Sequence, residues 1–167
     1  MQIEIVKGTT HDTLRVRRTD GTQAEARVAK KGPFPHDLVH VAVEDALGMR
    51  HAFLGMIAAG RHPDEIAALA TSLGHASAAK AHVPDPSIVE LIQAERLVEC
   101  FEAEIWGGPA ALDDLQSVAD AAFSASLVAR IVLTESGVAQ IRARLASLSA
   151  DWNALPVGGK IRCDWAA

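Results

Sequence analysis

Gln2-Ile3-Glu4-Ile5-Val6-Lys7 and Thr13-Leu14-Arg15-Val16-Arg17-Arg18 alternate apolar and polar residues, and Thr19-Asp20-Gly21-Thr22 separates the second run from a third carrying Ala24, Ala26 and Val28. Period-two alternation puts every second side chain on one face of a strand, so these runs read as half-buried strands. The Asp-Gly pair accepts the positive φ of a tight hairpin, which makes the whole a three-stranded antiparallel meander. Lys30 to Pro35, with two lysines, a glycine and two prolines, stops the last strand and starts something new.

The next part of the chain is helical. From His36 to Leu47 apolar residues cover most of a helix circumference, and Gly48 is placed for a left-handed cap. Met49 to Ala59 reads as a short second helix ending at Gly60; its small residues Gly55, Ala58 and Ala59 point to close packing. His62-Pro63 opens a third helix that closes before Gly74. After an alanine-rich stretch from His75 to His82, Asp85 and Pro86 supply an N-cap and a first-turn proline for a long helix over Ser87 to Trp106. Another helix runs from Ala111 to Ser124. Leu127 to Leu133, LVARIVL, suits a strand or a helix by pattern alone, and its helical surroundings favour helix.

Val138, Ile141, Leu145, Leu148, Trp152 and Leu155 then form the narrow seam of a last helix, fitted for internal packing or a partner helix. Ile161, Cys163 and Trp165 alternate with charged residues in a closing strand, whose backbone is best satisfied at the edge of the amino-terminal sheet. The expected fold is α+β: a small antiparallel sheet, built from the amino-terminal meander and the carboxyl-terminal strand, packed against a helical layer in one domain over 1–167.

Composition bounds the function. The 167 residues are 49% hydrophobic, enough for one buried core. Sixteen Lys and Arg against 21 Asp and Glu give a net charge of −5 without a basic cluster, which argues against a nucleic-acid surface. Met1 to Gly8 lacks the layout of a secretion signal and no apolar run reaches the ~18 residues of a membrane span, so the expectation is a cytoplasmic protein with no membrane partner. Cys100 and Cys163 are the only cysteines, in no CxxC arrangement, and read as reduced thiols on an apolar helix side and an inward strand face.

The polar residues of the first helix stand out. At about 100° per residue, His36, Asp37, His40 and Glu44 fall within an arc of roughly 100° on an otherwise apolar helix. Buried polar groups must find partners, and a divalent metal is one. Histidines at i and i+4 can present two ring nitrogens to one ion, as in HExxH helices; here the string is HDLVH, with the shorter aspartate at the general-base position. The expected ligands are therefore His36 and His40, with zinc first among the divalent ions. Asp37 and Glu44 are the candidate acid/base residues. Glu44 lies about 12 Å along the axis from His36 at 1.5 Å per residue, too far to share its ion. A third ligand must come from elsewhere, with His11, His51, His62, His75 and His82 as the remaining histidines. The plainer reading is that Asp37 serves the helix dipole, His40 and Glu44 form an i,i+4 pair, and His36 covers the helix start.

Pro35-His36-Asp37-Leu38-Val39-His40 with Glu44, Leu47-Gly48, Phe53-Leu54-Gly55 and Ala58-Ala59-Gly60 resembles an uncharacterised family of small bacterial proteins with a PHDLxHxxxE helix. The likeness extends to Trp152-Asn153-Ala154-Leu155-Pro156-Val157-Gly158-Gly159, where that family carries W-x-x-L-P-x-G-G before a final strand. The resemblance implies an architecture and no mechanism. Two functions remain open: a small binding or regulatory module that uses the polar stripe for a small molecule or a protein, and a divalent-metal-dependent hydrolase. A homo-oligomer held by the Leu148–Trp152 seam is the structural alternative.

Overall fold

A computed structural model describes residues 1–30, 32–74 and 83–166. The three amino-terminal strands are β1 (Gln2–Val6), β2 (His11–Arg17) and β3 (Gln23–Ala29). Six helices come next, α1 (His36–Leu47), α2 (Phe53–Ala58), α3 (Pro63–Gly74), α4 (Val89–Gly107), α5 (Leu112–Ala125) and α6 (Glu135–Ala154), before β4 (Lys160–Asp164). The sheet is antiparallel throughout, in the order β3-β2-β1-β4, so both ends of the chain meet in it. The fold is α+β.

Register obeys the alternation. Ile3 pairs with Val16 and Cys163, Ile5 with Leu14 and Ile161, and Leu14 with Ala26, which puts these apolar residues on one face. The Asp20-Gly21 turn has its glycine at φ 86°, and Asp20 accepts hydrogen bonds from the Thr22 backbone and hydroxyl.

α1 lies at the centre. Leu38 and Val41 join a core shared with the sheet, Phe53, Ile57 and Trp152, while Val39, Ala42 and Val43 join a second core of α4, α5 and α6. Every residue from Asp37 to Glu44 is buried in consequence. Gly48 caps the helix at φ 64°, and the amide of Met49 reaches back to the Glu44 carbonyl. Asp85 accepts from the Ser87 amide ahead of a 3-10 turn, Pro86–Ile88, that leads into α4.

Three sequence expectations change. The helix expected over Met49–Ala59 is confined to Phe53–Ala58, because Met49 completes the cap of α1. Gly74 is the last residue of α3 rather than the residue past its end. Leu127–Leu133 is neither helix nor strand. Leu127 takes φ 55° at the end of α5, and side-chain amides replace a ladder: Gln93 donates to the Ala129 carbonyl, while Gln116 donates to the Ile131 carbonyl and accepts from the Leu133 amide. His75 and His82 lie outside the described residues.

The seam of α6 is internal. Val138, Ile141, Leu145, Leu148 and Trp152 are all buried in the chain's own two cores, so these residues are not available to a partner helix. No helix among the described residues is long and apolar enough to cross a membrane.

Candidate metal centre

Among the described residues the buried polar side chains are Asp12, Arg18, Asp37, His40 and Glu44. The first two hold loops and helix ends in place. Asp12 accepts from the Gly8 amide and pairs with Lys30, and Arg18 donates to the carbonyls of Ile57 and Arg61, closing the end of α2. The other three all sit on the stripe of α1.

His36 and His40 are one turn apart on α1 and face α4. The ring of His40 is fully buried and packs on Phe53, with centroids 4.9 Å apart; the two imidazoles meet edge to face at 72°. His36 Nδ1 donates to Glu102 Oε1 at 2.8 Å, and His40 Nδ1 donates to Glu44 Oε1 at 2.8 Å. An ionised carboxylate only accepts, so Nδ1 of each ring carries a proton, and Nε2 carries a second one wherever the ring is charged. The two Nε2 atoms are left facing each other at 3.2 Å. Glu95, on α4, straddles them, with one oxygen 3.6 Å from His36 Nε2 and the other 3.5 Å from His40 Nε2.

These spacings have a chemical meaning. A separation of 3.5–3.6 Å is long for a hydrogen bond. Ligand atoms about 2.0–2.1 Å from a tetrahedral zinc ion lie about 3.3 Å from one another. His36, His40 and Glu95 form a group whose ligand atoms, one from each residue, lie within 4.8 Å of one another, with the two Nε2 atoms close to that tetrahedral edge length and each ring slightly farther from a different oxygen of Glu95. Each histidine also has its far nitrogen held by a carboxylate, the arrangement that orients metal-bound imidazoles in proteins.

Charge matches this geometry. Burial pushes the His40 imidazole down, but Glu44 and Glu95 outweigh it and raise its pKa to about 10. Burial likewise opposes the charge of His36, and Glu102 and Glu95 raise it. For Glu95 burial acts upward, yet its contacts with His36 and His40 hold it below the usual carboxylate range. Burial pushes Glu44 up. Negative charge thus converges on the two rings from three sides, where a cation is favoured.

The structure redistributes the residues expected from sequence. His36 and His40 come together, and the third group beside them is a glutamate of α4, not a histidine. Of the described histidines, His11 bonds Thr10 and Arg27 on the surface, His51 is exposed, and His62 pairs with Asp64. Glu44 does not line the cleft. It is fully buried behind His40, its second oxygen accepting from the Leu54 amide at 2.9 Å, so it orients the ring and ties α1 to the start of α2. Asp37 is buried and lines the cleft in front of the histidines. Glu95 and Glu102 were missed from sequence, although Glu95, Glu99 and Glu102 repeat at four- and three-residue steps on α4, the same stripe spacing that singled out α1.

His36, His40 and Glu95 open on a cleft of about 450 Å³. Leu14, Ala26, Val28, Phe53 and Ala67 form its apolar wall, and Asp37, Arg96 and Glu99 join the cluster on the polar side. An ion held by three side chains facing an open cleft would keep a coordination position for water or substrate, whereas structural zinc sites close all four. Compared with family models, curated proteins and solved structures, the chain gives no match.

Proposed function

We propose that the protein binds one divalent metal ion, zinc first, through His36, His40 and Glu95, and uses it as a hydrolytic centre facing the cleft. The observation that supports this is the pair of Nε2 atoms 3.2 Å apart, both with Nδ1 already donated to a carboxylate and both flanked by Glu95. Zinc held there would supply a nucleophile at neutral pH by lowering the pKa of a bound water to about 7. Asp37, in the cleft wall, is the carboxylate offered to that water's proton. Glu44 and Glu102 orient the ligands.

The same centre without turnover is a small binding or regulatory module, which the apolar wall of the cleft favours. Two unpaired buried thiols suit a reducing compartment, and we place the protein in the cytoplasm. The test is elemental analysis of protein purified without a histidine tag, with chelator competition for affinity. One zinc per chain is expected, lost in His40→Ala and in Glu95→Gln; a wild-type chain that takes up no metal overturns the proposal. Asp37→Asn separates the two readings: in a hydrolase it keeps the metal and loses ester or phosphoester turnover, and a metal-loaded wild type without turnover leaves the binding module.

A further inference from the structure

Three arginines of the described chain are largely enclosed, and two have their inner nitrogens satisfied. Arg18 donates from Nε to the Ile57 carbonyl, from Nη1 to Thr22 and from Nη2 to the Arg61 carbonyl. Arg142 lays its Nε–Nη2 edge side-on against Glu104, at 2.9 and 2.5 Å. Arg96 differs. Its side chain is only 17% exposed, yet both of its hydrogen bonds leave from Nη1, to the two oxygens of Glu99 at 2.8 and 2.6 Å. Its Nε is buried and has no acceptor among the described residues. The Nε–H that Arg142 uses in gripping a carboxylate is therefore unfilled on Arg96, whose side chain forms part of the cleft wall one residue beyond Glu95.

We infer that the cleft takes a small molecule carrying a carboxylate, and that Arg96 is the residue that recognises it. An arginine fork matches the two oxygens of a carboxylate and forms its strongest pairs side-on. Glu99 holds the outer nitrogen end-on and is itself half-exposed at 52%, so it is the group an incoming carboxylate displaces as the guanidinium turns its inner edge into the cleft. The nearest other carboxylate on α4, Glu95, is already matched by His36 and His40. Leu14, Val28, Phe53 and Ala67 offer apolar surface to the body of the ligand. A cleft of about 450 Å³ is within the range that encloses a small organic molecule. This inference rests on the cleft of the proposed function and not on its metal.

Calorimetry with benzoate and octanoate tests it, on the full chain stripped of metal and again after loading with zinc. At least one probe is expected to bind the stripped wild type. Arg96→Gln should weaken it about tenfold or more, and Arg96→Lys, which keeps the charge and loses the fork, by a smaller factor. Glu99→Gln should tighten binding severalfold, because it removes the competitor; a residue that merely braces the helix would not do so. The inference is overturned if neither probe binds the wild type below about 10 mM, if Arg96→Gln binds as the wild type does, or if only inorganic phosphate binds. Should Arg96→Gln fail to fold, wild-type affinity in Arg96→Lys overturns it equally. Because the stripped protein carries the decisive reading, a failed metal centre and a failed carboxylate site give different results.

Discussion

Glu44→Gln is the substitution that tests the candidate centre most sharply, because it changes one proton and almost no volume. The two groups around Glu44 are both donors, His40 Nδ1–H at 2.8 Å and the Leu54 amide at 2.9 Å, and a carboxylate accepts from both. A glutamine side chain offers one acceptor and one donor. The Leu54 amide cannot change its role, so the glutamine oxygen stays with it and the amide nitrogen turns to His40. The ring must then accept at Nδ1 and carry its proton on Nε2, the nitrogen that faces His36 and would hold the ion. Loss of an orienting partner of this kind costs about tenfold to a hundredfold in metal affinity, about 1.4 to 2.7 kcal/mol. The swap of tautomer puts Glu44→Gln at the upper end of that range. Chelator competition reads the affinity, and long-range ¹H–¹⁵N spectra of the histidines read, in the metal-free protein, whether His40 is the doubly protonated cation that Glu44 and Glu95 hold in the wild type or a neutral Nε2–H ring. Glu102→Gln acts on His36 in the same way, but Glu102 is 30% exposed and water can take its place, so its effect should be the smaller of the two. A Glu44→Gln protein with wild-type zinc affinity and an Nδ1–H His40 would refute the reasoning.

The packing sets other outcomes. Trp152→Ala removes a ring that is 1% exposed between the sheet and α6, with Lys7 Nζ 5.3 Å from its centroid; it should cost about 3–5 kcal/mol in urea unfolding, and a loss below about 1 kcal/mol would mean that the sheet core closes without it. An alanine Cβ at Gly55 would stand 1.9 Å from the Arg50 carbonyl oxygen, so Gly55→Ala must shift backbone next to the Leu54 amide. It should lower stability by about 1–3 kcal/mol and weaken metal binding from outside the cleft; unchanged metal affinity would show that Glu44 does not depend on the seat of α2. Burial pushes the thiols of Cys100 and Cys163 up from the ordinary value of 9.0. Neither should react with a disulfide reagent at pH 8 until urea is added. Because the folded chain holds these protons more tightly than the unfolded one, their contribution to stability is complete below the unfolded pKa and is lost as pH rises through the folded values. Alkaline urea titrations of the wild type and of a Cys100→Ala, Cys163→Ala variant should diverge above pH 9, with the wild type falling faster.

The strands and most helices were legible because their signals are local. Alternation at Ile3, Ile5, Leu14 and Val16, the turn glycine Gly21 and the cap glycine Gly48 each act within a few residues, and all three reappear in the folded chain. The run Leu127–Leu133 misled because its apolar content says how much surface is hidden and not how the backbone is satisfied. Gln93 and Gln116, which satisfy it, lie on other helices. The stripe of α1 could be seen for the same local reason that a helix repeats every few residues.

By itself the sequence determined that a polar stripe would lie on an otherwise apolar helix, that the chain would close a small sheet with both its ends, and which two imidazoles would be neighbours. Only tertiary structure decided what those imidazoles face. The packing of α4 across α1 brings Glu95 and Glu102 onto His36 and His40 from more than fifty residues away, and the docking of α2 gives Glu44 the Leu54 amide as a second donor behind His40. Helical spacing ranks neighbours on one element, whereas the partner of a buried charge is chosen by whichever other element can neutralise it at the lowest desolvation cost, and that choice is made across space.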